Sequence, residues 1–294
     1  MEISIVYRKP ISEEINKISE FIAVLNSQVE NHIGYCGDVT EEIAYSIKED
    51  LTDLAFEDSF VIAVENGVIV GVVGIDVDIE NTNVEMWGPF TLESKWDIVE
   101  NLWTKILERI PPEIETISMF LNKKNIRCID FAISKGFKKN SELNILKYHK
   151  KDVIKQQVTS IEELTPKYQN DMKILHDRVF PNTYYNGQQI VDRISPHKKV
   201  FIYVEEGQFI GYIHVEAMPE FGEGSIEFFA VEEENRGKGI GFKLITMAVQ
   251  WLFSFESIEE IILCVNSREE KAINLYEKIG FNKKHELIYY TRFK

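Results

Sequence analysis

The strongest constraint on this chain is that it repeats itself. The stretch FVIAVENGVIVGVVGIDVD, starting at Phe60, matches VFIYVEEGQFIGYIHVEA, starting at Val200. Each is a pair of apolar runs joined by a tight turn, Asn66-Gly67 in one and Glu206-Gly207 in the other, which reads as a β-hairpin. Gly71 falls on Gly211, an offset of 140 residues. Further on, NKKNIRCIDFAISKGFKK from Asn122 falls on NSREEKAINLYEKIGFNKK from Asn266, an offset of 144. A period of that size is too long for a solenoid unit and matches a whole domain. The 294 residues therefore divide into two domains of one plan, 1–150 and 151–294, with no Gly/Ser linker at Lys150-Lys151-Asp152.

The order of elements is the same in both copies. Helices come first, over 12–29 and 41–54 in one and 162–179 and 188–194 in the other. After the hairpin follow a strand (83–90; 225–231), a long helix (95–110; 241–255) and a buried strand (115–121; 260–265). A helix stopped by Gly136 or Gly280 and a final strand close each copy. This is an α/β (α+β) chain. Its 44% apolar and 12% aromatic residues suffice for two packed cores.

Composition narrows the function. The net charge is −15, and residues 1–150 carry 15 Lys+Arg against 26 Asp+Glu. Such a surface excludes nucleic acid as a natural partner and is compatible with a cationic substrate. No apolar run reaches the roughly 20 residues of a membrane span, and the N-terminus lacks a secretory arrangement, so no membrane association is expected. Three distant cysteines, Cys36, Cys128 and Cys264, form no disulfide framework and no zinc pattern. They point to a reducing, cytoplasmic setting, and no metal is expected.

The sharpest local signal lies between a strand and a long helix: Asn235-Arg236-Gly237-Lys238-Gly239-Ile240-Gly241. Glycines let a backbone come close to a phosphate and turn its N–H groups inward, and a helix start adds unsatisfied N–H groups and the positive end of its dipole. Arg236 and Lys238 add charge. The spacing is neither that of the P-loop nor that of the Rossmann turn. The acids Glu232, Glu233 and Glu234 just before it are expected on the outer, solvated edge.

Arg-x-x-Gly-x-Gly after a strand, with Asn274-Leu275-Tyr276-Glu277-Lys278-Ile279-Gly280-Phe281 some 35 residues later, resembles the GNAT superfamily of acyl-CoA N-acyltransferases. The resemblance covers nearly all of the second copy. It implies a mixed, mostly antiparallel central sheet flanked by helices in each tandem domain, and acetyl-CoA as cosubstrate. It further implies that the backbones of Arg236, Gly237, Lys238, Gly239, Ile240, Gly241 and Phe242 hold the pyrophosphate. The strand Phe229-Ala230-Val231 would pair with the pantetheine arm. That strand and the one at 261–265 would splay apart to admit the acyl group, and the N–H near Val231 would polarise the thioester carbonyl. Tyr276 stands where the family commonly places a tyrosine near the CoA sulfur, and a phenol can protonate or hydrogen-bond a leaving thiolate.

Amide formation also needs a neutral amine. Glu227, two residues before Phe229 and on the same face if pairing is regular, is the leading candidate base, with Glu216 and His214 as competitors. The loop at 179–187, rich in aromatics (Phe180, Tyr184, Tyr185) and including Asn182, either lines an amine pocket or anchors itself to the surface. One departure from the family stands out. The asparagine that commonly precedes the tyrosine helix is replaced by Glu269, whereas the first copy keeps Asn125 there. At the offset of 144, Arg236, Gly239, Gly241 and Tyr276 face Leu92, Lys95, Asp97 and Ala132. The first copy is therefore expected to be degenerate and to bind no acyl-CoA in this manner.

The expectation is an N-acetyltransferase with one active site per chain, acting on the primary amine of a small molecule by direct transfer, as a monomer or homodimer. A protein or peptide amine is the alternative acceptor, and a non-catalytic CoA-binding regulatory module the alternative role.

Overall fold

The structure, a computed structural model, describes residues 5–51, 53–152, 160–181 and 183–294. Residues 153–159, at the repeat junction, and Asn182 of the 179–187 loop lie outside the described residues. Internal contacts group the chain into two units, 1–143 with 286–294, and 144–285.

The first unit contains β1 (Ile5–Arg8), α1 (Ile15–Asn26), α2 (Thr40–Glu49), α3 (Phe56–Ser59), β2 (Phe60–Glu65), β3 (Val68–Asp78), β4 (Asn83–Thr91), α4 (Val99–Leu107), β5 (Thr116–Asn122), α5 (Ile126–Ser134) and the start of β6 (Lys138–His149). The second contains β7 (Ile161–Glu163), α6 (Gln169–Val179), α7 (Gly187–Asp192), β8 (Lys198–Glu205), β9 (Gln208–Met218), β10 (Glu223–Val231), α8 (Ile240–Leu252), β11 (Glu260–Asn266), α9 (Glu270–Ile279) and the start of β12 (Asn282–Phe293). Each unit is thus a mixed sheet flanked by helices.

The repeat suggests cuts at the end of β6 and at the chain terminus, but the contacts place them inside the two final strands. β6 passes into the second unit at Asn144, and β12 returns to the first at Glu286. The end of β12 runs antiparallel to β5, from Leu287 opposite Asn122 to Phe293 opposite Thr116. Its Ile288 and Tyr290 are buried in the first unit's core. Two copies of one plan have final strands of the same pattern, so the exchange leaves no mark in either copy's own sequence.

In the second unit the strand order is β6-β11-β10-β9-β8-β7. Successive residues of β8 and β9 feed two cores. Val200, Ile202 and Tyr212 pack with Met172, Leu175 and Ile190 of α6 and α7. Phe201, Tyr203, Ile213 and Val215 pack with Leu244, Ala248 and Leu252 of α8. A sheet covered on both faces needs no polar alternation, which is why these strands read as unbroken apolar runs.

Several expected helices are shorter than their patterns: the 12–29 segment is α-helical over Ile15–Asn26, the 41–54 segment over Thr40–Glu49, and two others start late. The 162–179 segment starts as strand β7, and its helix begins at Gln169 after a 3-10 turn at Pro166–Tyr168. Pro166 holds Thr165 extended (φ −102°, ψ 160°), so no helix can run through it. The 95–110 segment opens with a 3-10 stretch, Glu93–Ile98, that is non-helical at Lys95, and α4 starts only at Val99.

If β12 completes the first unit, Tyr290→Ala should destabilise that unit by about 3 kcal/mol, the scale for truncating a buried aromatic. Hydrogen exchange should then show β5 amides losing protection while β9 and β10 amides keep theirs. Unchanged protection in β5 would contradict the assignment.

Candidate active site

The site starts from one extra residue. β10 pairs antiparallel with β9, Ile226 opposite Val215 and Phe228 opposite His214, and Glu227 is left over as a bulge between them. On the other edge β10 runs parallel to β11 only from Glu223–Glu260 to Ile226–Leu263. A bulge bends its strand and breaks the ladder, and beyond it no β10–β11 pairing is made among the described residues. The regular pairing assumed for Glu227 and Phe229 therefore does not hold, since the bulge interrupts the alternation. A cleft of about 840 Å³ opens where the strands part. Residues 226–231 form one wall, Cys264, Val265 and Asn266 the other, with the starts of α8 and α9 at the end.

The 236–241 loop closes that end. Gly237 and Gly239 both have φ +78°, and a Cβ added at either would meet nothing within 4 Å. Backbone conformation, not space, requires glycine at these two positions. The first helical bond there runs from the Lys243 N–H to the Gly239 carbonyl at 3.2 Å. The six N–H groups of residues 237–242 have no acceptor among the described residues. Six consecutive free donors at the positive end of a 13-residue helix fit a pyrophosphate. Arg236 turns its Nε to the Val231 carbonyl at 3.0 Å and so ties the loop to the end of β10. Lys238 is exposed and does not line the cleft. The acids lie as expected at the edge: Glu233 and Glu234 are exposed, and Glu232 pairs with Arg178. Gly241 has a different cause, because a Cβ there would lie 2.8 Å from Phe229 Cζ and 2.9 Å from Leu275 Cδ2.

Tyr276 of α9 lines the cleft, its ring edge-on to Phe229 (6.5 Å) and Phe281 (5.5 Å). Its hydroxyl has no hydrogen-bond partner among the described residues, and burial raises its pKa well above the ordinary phenol value. Glu227 also lines the cleft. Ser225 donates a hydrogen bond to its Oε1, and Tyr184 donates to Oε2 at 2.5 Å. Burial raises the Glu227 pKa against the pull of those two donors. The competitors are placed elsewhere. His214 is fully buried, stacked on Phe228, and burial with Lys198 and Arg193 nearby pushes its pKa down to about 3. Glu216 is engaged by Lys198 at 2.6 Å. Neither lines the cleft.

Sequence reasoning missed Ser225, Tyr184 as its partner across the carboxylate, and Cys264. Ser225 lies two residues from Glu227 on the same strand, and its hydroxyl reaches the carboxylate. Tyr184 is 43 residues away, and no local pattern predicts that contact.

The matching region of the first unit lacks these features. β4 and β5 also part after a few pairs, from Asn83–Thr116 to Glu85–Ser118. Where the cradle would lie, Lys95 instead pairs with Glu65 at 2.6 Å and the Trp96 ring packs against Phe131. Ala132, facing Tyr276 in the repeat, is a buried core residue. Asn125 caps α5 by accepting from the Cys128 N–H at 3.2 Å, a bond that Glu269 does not make at the start of α9.

Gly239→Ala should cost about 1–2 kcal/mol in denaturant unfolding although the methyl touches nothing, because the left-handed conformation penalises a Cβ. Gly239→Asn should cost less, since Asn tolerates that region. A loss for Gly239→Asn as large as that for Gly239→Ala would contradict the left-handed conformation as the cause.

The comparisons with known proteins agree with this geometry. The profile described as Acetyltransferase (GNAT) family matches residues 163–281. A spermine/spermidine N(1)-acetyltransferase of Bacillus subtilis (strain 168) is 29% identical over 97 residues, 31% of this chain and 63% of that protein. An N-alpha-acetyltransferase of Sulfurisphaera tokodaii is 28% identical over 111 residues, 34% of this chain and 66% of that protein. The chain thus spans just under two thirds of the length of these curated relatives. Two solved structures share the fold over nearly the whole chain. One is a GCN5-related N-acetyltransferase from Sphaerobacter thermophilus (TM-score 0.74, 14% identity, 98% of this chain and 95% of that one). The other is a tandem GNAT protein from the clavulanic acid biosynthesis pathway (TM-score 0.69, 11% identity, 99% and 98%). The glycine cradle, the parted strands and the family match all fall in the same unit, so it is residues 163–281 of this chain that match the GNAT acetyltransferase family.

Proposed function

We propose that this protein is an N-acetyltransferase with one active site per chain, in the second unit, moving an acetyl group from acetyl-CoA directly to the primary amine of a small molecule. The observation that carries this is the run of six unpartnered N–H groups, 237–242, at the closed end of a cleft between parted strands. In this reading the pyrophosphate lies on that run, with Arg236 beside it. The free edge of Phe229, Ala230 and Val231 receives the pantetheine arm, and an N–H near Val231 polarises the thioester carbonyl.

Glu227 takes a proton from the acceptor ammonium. The amine nitrogen then attacks the carbonyl carbon and a C–N bond forms; as the C–S bond breaks, the nitrogen's surplus proton passes to the departing thiolate, leaving an amide and the CoA thiol. Tyr276 faces that thiolate. Burial holds the phenol protonated, so its contribution is a hydrogen bond to the leaving sulfur rather than a full proton transfer, which would strand a phenolate in an apolar wall. The acceptor is the less constrained half. A relative named for spermine and spermidine, and the acidity of this chain, favour a small cationic amine. The relative named an N-alpha-acetyltransferase makes a peptide α-amine the competing acceptor. A cytoplasmic location accords with three unpaired cysteines, and no helix among the described residues is long and apolar enough to cross a membrane.

The test is thiol release from acetyl-CoA across a panel of polyamines, amino sugars and peptides. Small amines should turn over and peptides should not; the reverse would replace the acceptor class. With the best amine, Tyr276→Phe should lower kcat about 10-fold or somewhat more, the scale of one lost hydrogen bond to a charged group. Glu227→Gln should lower kcat comparably and erase the acid limb of the pH profile. The base must be ionised, so wild-type activity falls as pH drops through its raised pKa. Unaltered turnover in either variant would remove that residue from the mechanism.

A further inference from the structure

We propose that Tyr184 and Ser225 are positioning residues for the Glu227 carboxylate, and that the loop between α6 and α7 is built to bring Tyr184 to it. This rests on reading Glu227 as the base. The two hydroxyls take one carboxylate oxygen each, Ser225 on Oε1 and Tyr184 on Oε2 at 2.5 Å. Glu227 is the bulge residue of β10, so the strand ladder alone does not fix its side chain as it would in regular pairing. A carboxylate gripped at both oxygens has one orientation, and its remaining lone pairs face the cleft it lines.

The loop's construction supports this. His176 of α6 is fully buried, with Nε2 2.7 Å from the Tyr185 carbonyl and Nδ1 2.5 Å from the Tyr212 hydroxyl. A carbonyl only accepts, so Nε2 carries the proton and Nδ1 accepts from Tyr212; the neutral tautomer is set, and burial lowers the His176 pKa in keeping with it. Asn186 caps α7 through the Gln189 N–H at 2.9 Å, and the Gly187 N–H donates to Asp177 at 2.7 Å. Arg193 lies over the Tyr185 ring at 4.2 Å. Between these anchors the Tyr184 ring rests on Phe228 (4.9 Å) and Tyr185 (4.8 Å), 54% exposed, with its hydroxyl turned inward to Glu227.

The consequence is electrostatic. Burial favours the neutral acid, while hydroxyl donors favour the carboxylate. The charged and titratable groups around Glu227 are Glu216 of β9, which raises its pKa, Lys198 of β8, which lowers it, Tyr184 of the loop, and Cys264 of β11, whose thiol is held up at about 12 by burial and by Glu227 itself. Removing a donor leaves the raising influences less opposed, so the base should ionise at higher pH.

The direct test is the carboxyl titration of Glu227, followed by 13C NMR on the full chain carrying labelled glutamate, its signal assigned by its loss in Glu227→Gln. Tyr184→Phe keeps the ring and its contacts and removes only the donor. It should move the midpoint up by about one pH unit, the scale of one hydrogen bond to a charged group. Ser225→Ala should move it the same way, and the acid limb of thiol release should follow both. A purely structural tyrosine would leave the titration where it is, and midpoints unmoved in both variants would overturn the proposal. Failure of the base reading shows separately, as Glu227→Gln keeping wild-type thiol release.

Discussion

A parallel ladder between β10 and β11 that continued past Ile226 and Leu263 would leave no room for a substrate. The bulge at Glu227 stops it, and the rest of the site follows from the parting of those two strands. The bulge frees an edge of β10 from Phe229 to Val231. It opens the cleft that Tyr276 reaches from α9. It also places a carboxylate in the gap, off the regular alternation, where two hydroxyls must hold it. The glycine loop then closes the far end. Gly241 lets α8 pack tightly on Phe229 and Leu275, and Gly237 and Gly239 turn six N–H groups free of the helix ladder.

The two units show which features make the fold and which make the site. Both have the hairpin, the parted strands and the helix that follows β5 or β11. They differ where the cradle belongs. In the first unit residues 93–98 form a 3-10 stretch pinned by Lys95 to Glu65 and by Trp96 on Phe131, and a core alanine stands in place of Tyr276. The sheet survives without the glycine loop because strand pairing and core packing do not depend on it.

Features set by a few adjacent residues could be read from the sequence. Positive-φ glycines before a helix are local, so the 236–241 loop was readable. The hairpins were readable for the same reason. Features set by pairing were not. The exchange of β6 and β12 is hidden because either final strand satisfies either sheet. The bulge depends on the register of β9 against β10, and the Tyr184–Glu227 contact joins residues brought together only by the fold. At 162–168 the repeated layout leads to a helix, and Pro166 overrides it. Tyr276 stands out only through family resemblance; periodicity alone makes it a core residue.

We propose one acyl-CoA site per chain, on the 237–242 backbone. Titration calorimetry of acetyl-CoA against the full-length protein measures this most directly. A stoichiometry of one per chain is the predicted result. Two per chain would show that the first unit retains a site despite lacking the glycine loop, and no binding would contradict the cradle itself.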